Sequence, residues 1–142
     1  MNATIRLLRE GIQTFISIDP LTTNMYRQAW EDDGAGGLIP DGDPVKMDPV
    51  TIRITEVSPN ENKKIVEGGE IPVHYVIVTA THDTDIQEDD VFEGHDGKFF
   101  KVLSIQPKRL VLTPGDTDAV FKLSGRAEEI DEVIEDPLEE EE

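Results

Sequence analysis

Apolar residues near the start of the chain follow the period of a helix. They stand three and four positions apart: Ile5, Leu8, Ile12 and Phe15. This stripe predicts a short amphipathic helix over residues 2–15. Gly11 falls inside the stripe and would destabilise a helix interior by about 1 kcal/mol relative to alanine. We therefore expect the helix to end near Glu10 and residues 14–18 to be extended.

Most of the remaining chain shows the patterns of β-strands. In residues 50–57, Val50, Ile52 and Ile54 alternate with polar residues, and the middle of residues 71–81 is apolar on both faces, as in a central strand. Further strands are predicted at residues 22–30, 99–105, 109–113 and 118–123, with a hairpin turn at 114–116. Short strands separated by turns indicate a mainly β protein, a small barrel or sandwich of about six strands with one short N-terminal helix.

Residues 31–49 predict a long irregular loop, because glycine and proline recur throughout. Loops of this length in compact domains are often binding loops. Four apolar residues lie inside it: Leu38, Ile39, Val45 and Met47. Exposed apolar patches mark interaction sites, so we expect these residues and Trp30 to form a subunit interface. Stacking of Trp30 and Tyr26 on nucleic-acid bases is a weaker interpretation, since the chain is acidic and has few aromatic residues.

Charge divides the chain into two parts. The formal net charge is −18, from 13 Lys and Arg against 31 Asp and Glu. Residues 127–142 contain ten acids and no base, so residues 1–126 hold 21 acids and 13 bases, a net of −8. We assign 1–126 to a single domain and 127–142 to an acidic C-terminal tail, and we expect a chain ending at Arg126 to fold with nearly the same stability. The net negative charge disfavours binding to the phosphates of the nucleic-acid backbone.

The tail allows two interpretations. Ile130, Val133 and Ile134 have helical spacing among the acids. The segment is either a solvated acidic run or a short helix that docks these three residues on a partner.

Candidate metal ligands are concentrated in residues 82–96: His82, Asp83, Asp85, Glu88, Asp89, Asp90, His95 and Asp96. Their spacing fits neither the calcium-loop pattern nor a helical histidine pair, so an exposed polar turn without a metal is expected. The glycine-rich run at 32–37 lacks the lysine and the helix of a phosphate-binding loop. His74 is expected to be a packed strand residue. The sequence predicts no cofactor and no catalytic site.

The absence of cysteine excludes disulfides and thiolate metal sites, which fits synthesis in a cytoplasm. No uninterrupted apolar run approaches the roughly 18 to 20 residues of a membrane span, so no membrane association is expected.

The stretch at residues 83–107, DTDIQEDDVFEGHDGKFFKVLSIQP, resembles the core signature of head closure proteins of long-tailed bacteriophages. Its order is an isoleucine in a polar segment, an aspartate before a hydrophobic pair, a turn, and a strand. YRQAWEDDGAGG and PVTIRITEVSPNENK are similar to the family's opening strand with its glycine-rich loop and to the following strand and turn. The resemblance covers residues 22–107.

The resemblance implies a small β-barrel subunit of a six- or twelvefold ring in the virion neck. The ring would contact the portal or adaptor protein on one side and the tail terminator or tail tube on the other. DNA would pass through its lumen without specific binding, and the loop at 31–49 would reach a neighbour or project into the channel. No catalysis is implied.

Two alternatives stay open. The nearer one is a tail terminator or tail-completion subunit. The other is an acidic inhibitor that mimics DNA, although more than half of the net charge lies in one terminal run rather than along a face. An enzyme is disfavoured because no convergent set of catalytic groups stands out.

Overall fold

The structure is a computed structural model that describes residues 3–57, 62–110 and 119–131. Those residues form one helix and ten strands: α1 (Ala3–Ile18), β1 (Leu21–Arg27), β2 (Trp30–Asp32), β3 (Leu38–Pro40), β4 (Val45–Glu56), β5 (Lys63–Val66), β6 (Gly69–Pro72), β7 (Tyr75–Ala80), β8 (Val91–Glu93), β9 (Phe99–Arg109) and β10 (Val120–Ile130).

Six strands close into an antiparallel barrel in the order β1-β4-β7-β10-β9-β8. Closure occurs at β1, where Tyr26 lies opposite Lys46 of β4 and Val91 of β8. The other four strands form two separate hairpins, β2–β3 and β5–β6. The expectation of a mainly β protein with about six barrel strands and an N-terminal helix is confirmed.

The alternation of apolar and polar residues places one face of each barrel strand inside. The buried cluster contains Leu21, Met25, Ile52, Val76, Val78, Ala80, Ile86, Phe92, Phe100, Val102 and Ala127. Phe92 and Phe100 stack at its centre, with ring centroids 5.7 Å apart. Such aromatic pairs contribute beyond the area they bury.

The helix packs on the outside of the barrel against β4, β7 and β10. It buries Ile5 and Ile16, and the Arg9 guanidinium donates two hydrogen bonds to the carbonyl of Val120, at 2.9 and 2.8 Å. The prediction that the helix ends near Glu10 is wrong, because α1 continues to Ile18. Gly11 is exposed, and packing on both sides of it offsets its low helix propensity.

One predicted loop and one predicted strand differ from the structure. Residues 31–49 are not an irregular loop, since they include parts of β2 and β4 and all of β3. Residues 71–81 are not one strand, because β6 and β7 are separated at Val73 and His74. β5 and β6 form a further hairpin, which turns at Gly68 and Gly69, with φ of 96° and 139°. Such values favour glycine.

The last two strands form the long β9–β10 hairpin, in which Ile130 pairs with Phe99. Residues 127–130, assigned above to the tail, therefore belong to the barrel. The strands approach so closely that a Cβ atom on Gly125 would lie 1.8 Å from the carbonyl oxygen of Ser104. The predicted turn at 114–116 and the tail from residue 132 onward lie outside the described residues. Within the described part, no helix combines the length and apolarity needed to cross a bilayer.

Candidate subunit interface

The β2–β3 hairpin presents an apolar surface away from the barrel core. Trp30 lies opposite Pro40, and Asp32 lies opposite Leu38. Cross-strand partners share a face, so Trp30, Leu38 and Pro40 lie together, while Ile39 is on the other face. The exposed fraction is 51% for Trp30 and 69% for Leu38. The hairpin thus carries large apolar side chains that remain half or more exposed.

The turn of this hairpin is shaped by its own carboxylates. Asp33 accepts hydrogen bonds from the amides of Ala35 at 2.7 Å and Gly37 at 3.0 Å, and Asp32 accepts one from Gly34 at 2.8 Å. These amides, Ala35 first, lower the pKa of Asp33. The glycine-rich run therefore directs these amides to carboxylates within its own turn.

Hydrogen bonds connect the base of the β2–β3 hairpin to the residues that follow β1. The Asp41 amide donates to the carbonyl of Ala29 at 2.8 Å, and the Gln28 side-chain amide donates to the carbonyl of Gly42 at 2.9 Å. These bonds fix the direction in which the apolar face points.

A cavity of about 470 Å³ lies between the hairpin and the barrel wall. Its apolar lining includes Trp30 and Pro40 from the hairpin, Val91 from β8, and Ile130 from β10. The structure therefore brings together two predicted interface residues, Trp30 and Ile130, that are distant in sequence. We name this cavity and the exposed face of the β2–β3 hairpin the apolar hairpin surface.

The predicted interface residues fall into three groups. Trp30, Leu38, Ile39 and Val45 are exposed. Met47 and Ile130 are half-buried, and Met47 packs against the barrel core, which limits its contact with a neighbour. Val133 and Ile134 lie outside the described residues.

The β5–β6 hairpin is a second exposed apolar element that the sequence reasoning missed. Ile65 is 82% exposed, and Val66 and Ile71 are also exposed. The segment KKIVEGGEIP carries the signal that could have revealed it, namely two short β-prone runs on either side of a Gly-Gly turn. An isolated two-stranded hairpin is only marginally stable in water, so contact with a neighbour would stabilise it.

The aspartate of the head-closure-like signature has a structural role. The Asp90 side chain is only 1% exposed, and the Arg27 guanidinium donates to its two oxygens at 3.0 and 2.9 Å. The amide of Gln87 also donates to this carboxylate, at 2.9 Å. Mainly because of the hydrogen bond to Asp90, the pKa of Arg27 is raised well above its ordinary value. Asp90 thereby links β1 to the segment that enters β8.

The remaining candidate metal ligands have other partners or lie apart. Asp85 contacts Arg27 at 3.1 Å, Asp89 contacts Lys101 at 3.6 Å, and Asp83 accepts a hydrogen bond from the Thr81 hydroxyl. In the described part of the chain, no three His, Asp or Glu side chains are grouped closely enough to hold a metal ion.

His74 lies between two carboxylates from different strands. Its Nδ1 is 2.9 Å from Glu129 of β10, and its Nε2 is 2.6 Å from Glu56 of β4. Hydrogen bonding to Glu129, and then to Glu56, raises the pKa of His74. The sequence predicted a strand position for His74, but the residue lies in the connection between β6 and β7. There it joins the base of the β5–β6 hairpin to the barrel.

Comparison with solved structures finds chains of similar fold. No family model matches the chain, and no curated protein matches it. A chain in the solved structure titled "Virion of native gene transfer agent (GTA) particle" is 16% identical, with a TM-score of 0.49. The match covers 78% of this chain and 94% of that chain. These values are too low to assign a function.

Proposed function

We propose that this protein is a virion structural protein, a subunit of the head closure ring between the portal or adaptor and the tail. The observation that carries the proposal is the apolar hairpin surface on a closed barrel. Because the barrel strands pair with one another around a closed circuit, elements outside that circuit are the natural contacts between subunits. The two exposed hairpins supply such elements.

The head-closure-like signature supports the same assignment. Its hydrophobic pair includes Phe92 in the core, and its aspartate, Asp90, holds the entrance to β8 against β1. Phe92 and Asp90 thus help to hold the barrel closed, and such structural roles suit an architectural protein.

The net negative charge of the chain suits a subunit that lines a DNA channel. Repeated copies of a subunit with a net charge of −18 would surround the lumen with a negative potential. DNA could move along such a wall without the salt-dependent phosphate contacts that a basic protein makes. Solvent-exposed tryptophan and leucine side chains, by contrast, have no role in a charge-mimicking inhibitor, which makes that alternative weaker.

Deletion of the gene tests the proposal. We expect DNA-filled or leaking heads together with complete, unattached tails, and normal particles after complementation with the intact gene. A tail terminator caps the tail tube, so its loss should alter the tails themselves. Normal infectious particles from the deletion strain would refute a structural role in the neck.

A further inference from the structure

The outer face of the β9–β10 hairpin carries a strip of basic and small polar residues. Lys108 lies directly opposite Lys122, Gln106 opposite Ser124, and Ser104 opposite Arg126. Since cross-strand partners share a face and alternate residues share a side, these six side chains form one row. The residues between them, including Gly125 and Ala127, face the core side. We name the row the basic strip.

Two like charges facing each other are unfavourable for the isolated fold. Lys63, Lys98 and Lys101 each have a carboxylate within 4.0 Å, but Lys108 and Lys122 form no ion pair with any described residue. Among the described residues, this pair of positive charges is therefore not balanced by a carboxylate, and an acidic partner would balance it.

The strip borders a shallow groove of about 280 Å³, lined by Ile77, Ser104, Gln106, Lys108, Ser124 and Arg126. The small hydroxyl side chains at its centre leave room for an extended peptide and can donate hydrogen bonds to carboxylates. The lysines and Arg126 supply positive charge along the groove. Its chemistry suits an acidic peptide.

We propose that the basic strip binds the acidic C-terminal segment, residues 132–142, of a second copy of this chain. The segment EVIEDPLEEEE has seven acids and no base. This inference rests on the proposed ring, because it assigns an occupant from the adjacent subunit. In this arrangement the acidic segment of one subunit would attach it to the next subunit.

The path of the chain favours the neighbour over the same subunit. β10 ends beside the apolar hairpin surface, where Ile130 lines the cavity with Trp30. The segment begins two residues further along the chain. To reach its own Lys122 it would have to reverse direction and run back about 26 Å along β10, at ~3.3 Å per residue. That route passes its own Glu128, Glu129 and Asp131.

A binding assay with full-length protein tests the proposal. The probe is a fluorescent synthetic peptide of residues 131–142, followed by anisotropy with the full-length wild-type chain. We expect binding that weakens when NaCl is raised from about 50 mM to about 300 mM, because exposed charges are screened. Lys108→Glu with Lys122→Glu should weaken binding at least about tenfold, whereas Lys63→Glu with Lys64→Glu, the same charge change on the β5–β6 hairpin, should alter it less than about twofold. Circular dichroism checks that both variants fold.

Two further probes separate the alternative occupants. A full-length variant with residues 139–142 changed from Glu to Gln should bind the peptide as the wild type does if the strip serves a second copy. Binding to the Gln variant alone would show that each chain fills its own strip and would overturn the proposal. Preferential binding of duplex DNA, with the same loss in the Lys108/Lys122 variant, would also overturn it, as would the absence of peptide binding.

The assay also separates this inference from the proposed function. A chain that fails to bind the peptide yet is present in the virion neck would reject the basic strip and leave the ring proposal intact. A chain that binds the peptide but is absent from the particle would reject the ring.

Discussion

Asp90 is the residue on which the junction of β1, β8 and β9 depends. Its carboxylate receives Arg27 and the amide of Gln87, and its backbone carbonyl accepts a hydrogen bond from the amide of Val102 at 2.8 Å. Its neighbour Asp89 is exposed and adopts a φ of 70°. Two adjacent aspartates therefore have different roles, which the sequence alone did not distinguish.

Replacement of Asp90 by alanine should strongly destabilise the barrel. The variant leaves the partly buried Arg27 without its closest partner, and breaking a buried ion pair in this way costs about 3 kcal/mol. The matched control is Asp85→Ala, which removes a mostly exposed carboxylate from the same arginine and should cost less than ~1 kcal/mol. Urea denaturation measures both. Equal effects of the two substitutions would contradict the anchoring role of Asp90.

His74 should make part of the stability depend on pH. Its pKa is raised in the folded state by Glu129 and Glu56, so its contribution is complete below the unfolded pKa of 6.5 and is lost as pH rises through the higher folded pKa. His74→Gln should therefore lose more stability at low pH than at high pH in denaturation measured from about pH 5.5 to about pH 8.5. The salt link of Lys98 to Glu129, at 3.7 Å, remains in the variant. The control is His95→Gln, whose ring is 3.7 Å from Asp19 on the surface. A pH profile unchanged by His74→Gln would refute the link.

Among the elements, the two hairpins are the parts of the molecule that packing within the subunit does not explain. Every residue of their four strands is exposed, whereas each barrel strand contains at least one buried residue. We therefore expect substitutions in the hairpins to affect assembly rather than folding.

Leu38→Ser with Ile39→Ser should spare the fold and prevent incorporation into particles. Both side chains are exposed, so the loss of stability should stay within about 0.5 kcal/mol per substitution, as for most surface changes. Leu7→Ser on the exposed side of α1 is the control and should leave incorporation unchanged. Thermal denaturation and mass spectrometry of purified particles measure the two effects. Normal incorporation of the double variant would show that the hairpin is not an interface.

Among the strands, large parts of β4 and β9 were predicted, because alternation over six or more residues reveals a half-buried face. Strands of three or four residues, such as β2, β3 and β5, are too short for a clear period, and the glycines and prolines between them suggest a loop. The Trp30–Ile130 cavity could not be predicted because barrel closure, not sequence proximity, brings those residues together.

For the whole molecule, the barrel extends further toward the C-terminus than charge suggested. The ten acids of residues 127–142 indicated a solvated tail, yet Ala127 is fully buried and residues 127–130 pair with β9. Charge composition did not show this because an acidic residue in a strand can be balanced by partners from other elements, as Glu129 is by His74 and Lys98.

A chain ending at Arg126 should consequently be much less stable than one ending at Asp131. The shorter chain loses the buried Ala127, the pairing of four residues with β9, and the Glu129 amide hydrogen bond to the carbonyl of His74. At about 1 kcal/mol for each internal hydrogen bond, the deficit should be on the order of 3 kcal/mol. The chain ending at Asp131 is the control and should stay near the stability of the full chain. Equal denaturation midpoints for the two truncations would place the end of the barrel at Arg126 after all.

The central claim is that copies of this barrel form a ring in the virion neck, and electron cryomicroscopy of the native particle tests it most directly. The account predicts a ring of six or twelve barrels between portal or adaptor and tail, with the β2–β3 hairpin of each subunit against its neighbour. A neck without this barrel, or barrels at another position in the particle, would contradict it.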